Sequence, residues 1–128
     1  MIALTTASNE TARLSSYQVA RYLLDYLGPT LTAYIANVRS RALPGRWALE
    51  PTQPGAAEPS NEQARRLRTA HTLLLAIEQN DGDQTAPNWL ISANPRLDDR
   101  TPAALIREDH APAVLRAAEA FIADHTNA

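Results

Sequence analysis

Three histidines and two pairs of adjacent acids are the side chains of this sequence most able to do chemistry. His71, His110 and His125 are scattered, no two of them lie three or four residues apart, and no cysteine is present to complete a metal site. The acidic pairs at 98–99 and 108–109 fall at expected turns and helix starts, where carboxylates cap backbone amides. The spacing therefore favours structural roles over metal binding or acid–base catalysis.

Two further catalytic patterns are also missing. The sequence contains neither the glycine-rich loop that cradles phosphates nor the serine elbow of the hydrolases. We therefore expect a protein that is not an enzyme and that uses no cofactor. Its function must then come from binding, which directs attention to the elements that present its surface.

The composition predicts one compact folded unit. The chain has 128 residues, of which 45% are hydrophobic and 20% charged, as is usual for globular domains. The first 13 residues lack the apolar stretch of a secretory signal, and no segment approaches the roughly 20 apolar residues of a membrane span. Together with the absence of cysteine, this pattern predicts a cytoplasmic protein with no membrane partner.

Charge is distributed unevenly between the two halves. Residues 1–70 carry eight arginines against five acids, and residues 71–128 carry four arginines against nine acids. The first half is therefore basic and the second acidic, around a net charge of -2. This asymmetry fits a nucleic-acid-binding region joined to a partner-binding region, although surface scatter gives the same numbers.

Two helices are predicted in the N-terminal half. Ser15 and Gln18 have capping-box spacing, so a helix should begin there and run to about Leu27. Gly28 and Pro29 then stop this helix and start the next, which should run over 30–38. The apolar residues of this second helix recur at spacings of three and four and predict an inward face consisting of Leu31, Tyr34, Ile35 and Val38.

A proline-rich segment separates these helices from the rest of the chain. Residues 43–59 contain four prolines and two glycines and show no helical or alternating period, which predicts a long loop. Trp47 within this loop should pack back onto the helices.

The C-terminal half is predicted to contain helices only. A second capping box, Ser60 with Gln63, opens the longest helix, which should end near residues 80–82. Shorter helices are predicted over 87–91, 102–107 and 111–123. No segment reads as a strand, so the predicted fold class is all-α.

From residue 88 onward the sequence resembles the C-terminal domain of the MbcA/ParS/Xre antitoxins. The resemblance rests on the run Trp89, Leu90, Ile91, the turn Asn94-Pro95-Arg96-Leu97, the short helix with Pro102 and Leu105, and Val114-Leu115 in the closing helix. It covers 35 to 40 residues. The family commonly has glycine in two turns where this chain has Asp98, Asp99 and Arg100, and then Asp109 and His110.

The resemblance implies a set of toxin-binding residues. In this family the last helix and tail cover the active-site entrance of a RES-domain toxin that consumes NAD. The positions implied here are Trp89, Asn94, Pro95, Arg100, Phe121, Ile122, Asp124 and His125. The tail, residues 123–128, would otherwise be expected to fray.

Residues 20–38 resemble the helix-turn-helix that precedes this domain in the family, with Gly28 at the turn and 30–38 as the recognition helix. The DNA-binding residues implied are Thr32, Asn37, Arg39, Arg41 and Arg46. Leu24 stands where the motif usually has a small residue, and a helical hairpin used only for packing or dimerisation is the rival interpretation. The predicted organisation is a helix-turn-helix-like region with a proline-rich loop over 1–59 and a helical toxin-binding domain over 60–128.

The function expected from this resemblance is that of a type II antitoxin. It would occlude a RES-domain toxin and autorepress its operon by binding operator DNA, and a homodimer is one assembly open to it. Two alternatives stay open: a stand-alone helix-turn-helix transcription regulator without a toxin partner, and a helical interaction module with neither activity.

Overall fold

The computed structural model describes residues 2–82 and 84–126, and Asn127 and Ala128 of the predicted tail lie outside that range. The described residues form helices joined by short turns and by one longer irregular segment at 48–60, without a strand, so the all-α prediction is confirmed. The helices are α1 (Ile2–Arg13), α2 (Ser16–Leu27), α3 (Pro29–Ala36), α4 (Leu43–Trp47), α5 (Asn61–Asp81), α6 (Thr85–Ile91), α7 (Pro102–Arg107) and α8 (Ala111–Thr126), with a 3-10 turn at Pro95–Leu97.

The long helix α5 is the centre of the fold. It packs against α1, α2, α3, α6, α7 and α8. Its buried residues surround most of its circumference: Leu67, Ala70, His71, Thr72, Leu73, Leu74, Ala76 and Ile77. One continuous hydrophobic core therefore joins residues on both sides of the predicted boundary at 59/60.

The predicted helix starts are confirmed where a capping pattern marks them. The Ser15 amide donates to Gln18 Oε1 at 2.9 Å, and Ser60 and Gln63 exchange both capping bonds. Thr101 caps α7 by accepting from the Ala104 amide at 3.1 Å. Gly28 ends α2 with a φ of 84°, a backbone conformation that glycine adopts without strain.

Several elements differ from the prediction: α3 ends at Ala36 and not at residue 38, and α6 begins at Thr85 and not at residue 87. Helix α1 was not predicted, because its buried residues, among them Leu4, Ala7 and Thr11, are mostly small or polar and give a weak apolar period. Residues 43–47 of the predicted loop form α4, with Trp47 buried as expected. Helix α8 continues past residue 123 to residue 126, so Asp124 and His125 lie in a helix and not in a frayed tail.

Among the described residues, no helix combines the length and apolar composition that a bilayer crossing requires.

Candidate functional site

An open groove between α6, the 3-10 turn and α8 gathers most of the residues implied as toxin-binding. Its volume is about 520 Å³. We call it the aromatic groove, and its lining residues are Trp89, Ala93, Asn94, Pro95, Arg96, Ala117, Phe121 and Asp124. Three segments that are separate in sequence therefore converge on one face.

Three aromatic rings form a row along this face. The ring centroids of Trp89 and Phe121 are 6.0 Å apart, and those of Phe121 and His125 are 4.0 Å apart. His125 Nδ1 lies 2.8 Å from the carbonyl oxygen of Phe121, which holds the imidazole against the end of α8. Trp89 is only 9% exposed, whereas Phe121 is half-buried, so Phe121 offers more of its ring to a partner.

The Asn94-Pro95 turn is fixed by its own hydrogen bonds. Asn94 Oδ1 accepts from the Arg96 amide at 2.9 Å, and the Asn94 carbonyl accepts from the Asp99 amide at 2.9 Å. The Asn94 amide in turn donates to the Arg100 carbonyl at 3.0 Å. These bonds satisfy the polar groups of the turn locally and make one wall of the groove rigid.

Two charges border the aromatic groove. Arg96 and Asp124 lie 3.5 Å apart across it, with side chains 58% and 67% exposed. An ion pair this exposed contributes little to stability, and exchanging it for contacts with a partner costs correspondingly little. The arrangement, an aromatic centre with a polar rim, is the usual anatomy of a protein–protein contact.

Two of the implied toxin-binding residues lie elsewhere. Ile122 is 3% exposed and belongs to the core, so it cannot contribute directly to a binding surface. Arg100 forms an ion pair with Glu108, and this hydrogen bonding raises the pKa of the arginine and lowers that of the carboxylate. Its side chain is therefore occupied by an intramolecular partner and does not line the aromatic groove.

The two turns without the family's glycines adopt backbone conformations that favour glycine. Asp98, Asp99 and Asp109 have φ values of 56°, 63° and 69°. Aspartate is among the few residues that tolerate this left-handed region. The sequence departure at these positions is therefore one of residue type, while the backbone stays in the region that glycine would occupy.

The candidate recognition helix α3 is largely packed against other helices, with Pro29, Thr30 and Tyr34 exposed. It packs against α2, α4, α5 and α7, and Gly28 alone separates it from α2, whereas the turn of a helix-turn-helix has about three to four residues. Thr32 is 0% exposed, and its hydroxyl lies 2.7 Å from the Gly28 carbonyl and 3.2 Å from the Leu23 carbonyl. The assignment of Thr32 to DNA contact is therefore wrong, because no base edge can reach it in this fold.

The other residues implied as DNA-binding are exposed. Asn37 ends α3 in a left-handed conformation, with its amide donating to the carbonyls of Ala33 and Tyr34. Arg39 and Arg41 follow it, and neither forms an ion pair within the part of the chain that the structure describes. Arg46 donates through Nε to the Gly55 carbonyl at 2.8 Å.

A buried polar network joins α1 to α5. Thr11 Oγ1 lies 2.6 Å from His71 Nδ1, and the Thr72 hydroxyl donates to Thr11 Oγ1 at 3.1 Å. Burial, with the nearby charge of Arg68, lowers the pKa of His71. The Tyr22 ring packs edge-on against the imidazole, and its hydroxyl donates to Glu78 at 2.8 Å, so burial and this carboxylate raise the pKa of Tyr22.

His71 thus belongs to a buried hydrogen-bonded network between α1 and α5. Within 2–82 and 84–126 no group of three or more histidines or acids is arranged to hold a metal ion.

Sequence reasoning missed two features of the surface. Arg96 lines the aromatic groove, and its place within the Asn94-Pro95 turn was the available signal. Tyr34 was expected to pack inward but is 38% exposed, and Ile91 is 52% exposed. Helical period alone placed Tyr34 inside, because it does not reveal where a neighbouring helix ends.

Comparison with models of protein families, with curated proteins and with solved structures gives no match for this chain. The resemblance to the MbcA/ParS/Xre antitoxins therefore rests on the residues quoted above.

Proposed function

We propose that this chain is the antitoxin of a type II toxin–antitoxin pair and that it neutralises a RES-domain toxin, which consumes NAD, by covering the toxin's active-site entrance. The observation that carries the proposal is the aromatic groove. Five of the eight residues that the resemblance implies, Trp89, Asn94, Pro95, Phe121 and Asp124, line it together, although they come from three separate segments. His125 extends the same face by stacking on Phe121.

The chemistry of the groove supports a protein partner. Phe121 and Trp89 supply a large apolar contact, the turn at Asn94 is rigid, and Arg96 and Asp124 supply a charged rim. A rigid contact surface loses little conformational entropy on binding, which favours affinity. In this proposal the end of α8, with Asp124 and His125, enters the toxin's pocket as a helical turn.

The proposal predicts that a RES-domain protein is encoded beside this gene, and the experiment is co-expression with that protein, with cellular NAD as the readout. The wild-type chain should preserve NAD and copurify with the toxin. Phe121→Ala should lose both properties while keeping its fold, since Phe121 is only half-buried. Tyr17→Ala, which truncates a half-buried aromatic side chain on α2 away from the aromatic groove, is the matched control and should neutralise normally.

Neutralisation by Phe121→Ala at wild-type level would remove the aromatic groove from the proposal. Failure of the wild-type chain to copurify with any RES-domain protein would refute the proposal itself.

DNA binding is a second candidate function, favoured by the exposed arginines at 39, 41 and 46. Because α3 is packed on four other helices, contacts from this segment would reach phosphates and carry little sequence information. Autorepression of the operon would then depend on these arginines. Arg39→Ala/Arg41→Ala/Arg46→Ala should flatten the salt dependence of binding to the operon's own promoter, and no binding by the wild-type protein at low salt would exclude this function.

A further inference from the structure

A wide groove lies between α1 and α8, which both pack on α5. Its volume is about 690 Å³. We call it the α1–α8 groove, and all three helices contribute side chains to its lining. Sites for small organic ligands have volumes of about 300 to 1,000 Å³. The groove therefore has room for a ligand larger than a single amino acid.

Helix α8 lines the α1–α8 groove and the aromatic groove with different faces. Ala117, Phe121 and Asp124 line the aromatic groove, whereas Leu115 and Glu119 line the α1–α8 groove. The two sets are offset by two residues, which corresponds to roughly 200° around an α-helix. A ligand in the α1–α8 groove therefore occupies a surface that the proposed toxin contact does not use.

Two side chains of the α1–α8 groove carry opposite charges that have no charged partner. Arg68 and Glu119 are half-buried, and neither forms an ion pair within residues 2–82 and 84–126. Arg65, which lines the same groove, is already paired with Asp109 at 2.6 Å. A charge that is partly removed from water is stabilised by a group of opposite sign. The groove therefore offers one binding point for an anion and another for a cation.

Arg68 is fixed in position but keeps donors for a ligand. Its Nη1 donates to the Thr11 carbonyl at 2.8 Å, and its Nη2 donates to the Leu14 carbonyl at 3.0 Å. A guanidinium has five N–H donors, so three remain, and carbonyl partners do not neutralise its charge. A carboxylate is the anion whose planar geometry matches these donors. Glu119, whose carboxylate can only accept hydrogen bonds, is complementary to an ammonium group.

The other lining residues are suited to a peptide. Leu4 and Leu115 supply apolar contacts for aliphatic side chains. Ser8, Asn9 and Asn61 also line the groove, and their side chains form no hydrogen bond within the part of the chain that the structure describes. An asparagine side chain has both donors and an acceptor, so it can pair with the N–H and the carbonyl of a peptide bond.

We propose that the α1–α8 groove binds a short aliphatic peptide with free termini, whose carboxylate pairs with Arg68 and whose ammonium pairs with Glu119. A polyanion such as a nucleotide supplies nothing for Glu119, and a polyamine supplies nothing for Arg68. A single amino acid carries both charges but leaves much of the groove empty. The chain thereby gains a ligand-binding activity that does not depend on the identity of any toxin.

The test is an NMR titration of the isotopically labelled full-length chain, with trileucine as the probe. Backbone amide signals of the lining residues on α1, α5 and α8 should shift and should saturate at millimolar peptide or below. The signals of residues 93–96, in the wall of the aromatic groove, should stay unchanged. An absence of saturable shifts, or shifts confined to the aromatic groove, would overturn the proposal.

Blocked peptides test the recognition of each terminus. N-acetyl-trileucine lacks the ammonium group and trileucine amide lacks the carboxylate, so each should bind with a Kd at least about tenfold higher than that of trileucine. The amide peptide tests the charge of Arg68 without a substitution, which matters because Arg68 also holds the end of α1. Equal affinity for the free and the blocked peptides would overturn the proposal, since binding would then be apolar only.

A variant at Glu119 tests where the ammonium group lies. Glu119→Gln keeps the shape of the side chain and should raise the Kd for trileucine about tenfold, while the Kd for N-acetyl-trileucine stays unchanged. Glu58→Gln removes the same charge at an exposed position outside the groove and should bind like the wild type. If Glu119→Gln binds trileucine like the wild type, or loses affinity for both peptides equally, the assignment of Glu119 is overturned.

Discussion

The resemblance implies a binding role for helix α3 and another for the end of helix α8. These two regions differ in how far the fold buries them. Helix α3 packs against four helices, and its polar residue Thr32 bonds inward to the backbone. The end of α8 projects beyond the core residue Ile122, with its polar side chains Asp124 and His125 exposed. The position of a motif in the sequence therefore suggests which helix binds. The exposure of its side chains in the fold decides whether they can reach a partner.

The largest expected effect concerns the anchor of the aromatic groove. Trp89→Ala should lower the free energy of unfolding by about 3 to 5 kcal/mol, since it removes a large ring that is 9% exposed and leaves a cavity. Urea denaturation followed by circular dichroism measures this change. Wild-type stability combined with loss of the partner would mean that Trp89 is a recognition residue and that the groove has no structural anchor.

The next effect tests whether α3 is a core element. Thr32→Val keeps the volume but leaves the Gly28 and Leu23 carbonyls without their hydroxyl donor, and it should cost about 1 to 2 kcal/mol of stability. Any binding to promoter DNA should be unchanged relative to the wild type. A fully stable variant with reduced DNA binding would restore Thr32 to the DNA-contacting set and break the contrast with α8.

The buried network between α1 and α5 predicts a pH dependence that the exposed groove does not. The pKa of His71 in the folded state lies below the ordinary value of 6.5, so the unfolded chain binds a proton more readily. The contribution of His71 to the free energy of unfolding is therefore fully present above about pH 6.5. It is lost as the pH falls through the folded-state pKa of His71.

The dependence should disappear in His71→Gln and persist in His110→Gln, since the His110 side chain is exposed. Thermal melts at several pH values from about 7.5 to about 5, the range over which a histidine titrates, measure this pH dependence. If melting temperature depends on pH identically in all three proteins, His71 is not the source of the pH dependence.

The smallest effect on stability is expected at the rim of the aromatic groove. Arg96→Ala removes one partner of an exposed pair and should change the free energy of unfolding by less than about 0.5 kcal/mol. The same variant should weaken toxin binding, because it removes a charge from the contact surface. A large loss of stability would mean that the ion pair stabilises the fold and cannot be exchanged for contacts with a partner at low cost.

Sequence patterns predicted the parts of the fold that depend on local physics. The capping boxes at Ser15 and Ser60 and the glycine at 28 marked helix ends, because their effect lies within one turn of backbone. Helix α1 escaped prediction, since its stability comes from packing Leu4 and Ala7 against α5, which no local pattern records. Tyr34 was misplaced because helical period does not reveal where a neighbouring helix ends.

The candidate site was predictable as a set of residues and not as a surface. The run around Trp89 and the turn at Asn94 pointed to the right segments, and the fold brings them together with Phe121. The burial of Ile122 and the pairing of Arg100 with Glu108 depend on how α7 and α8 pack, so they became visible only in three dimensions.

Hydrogen–deuterium exchange of the purified chain, alone and with the RES-domain protein that we propose as its partner, tests the central claim most directly. The partner should add protection at residues 89–96 and 117–125, which form the aromatic groove and the end of α8, while α3 and the arginine segment at 39–46 stay unchanged. New protection confined to α3 and residues 39–46, with no change at the end of α8, would contradict the account.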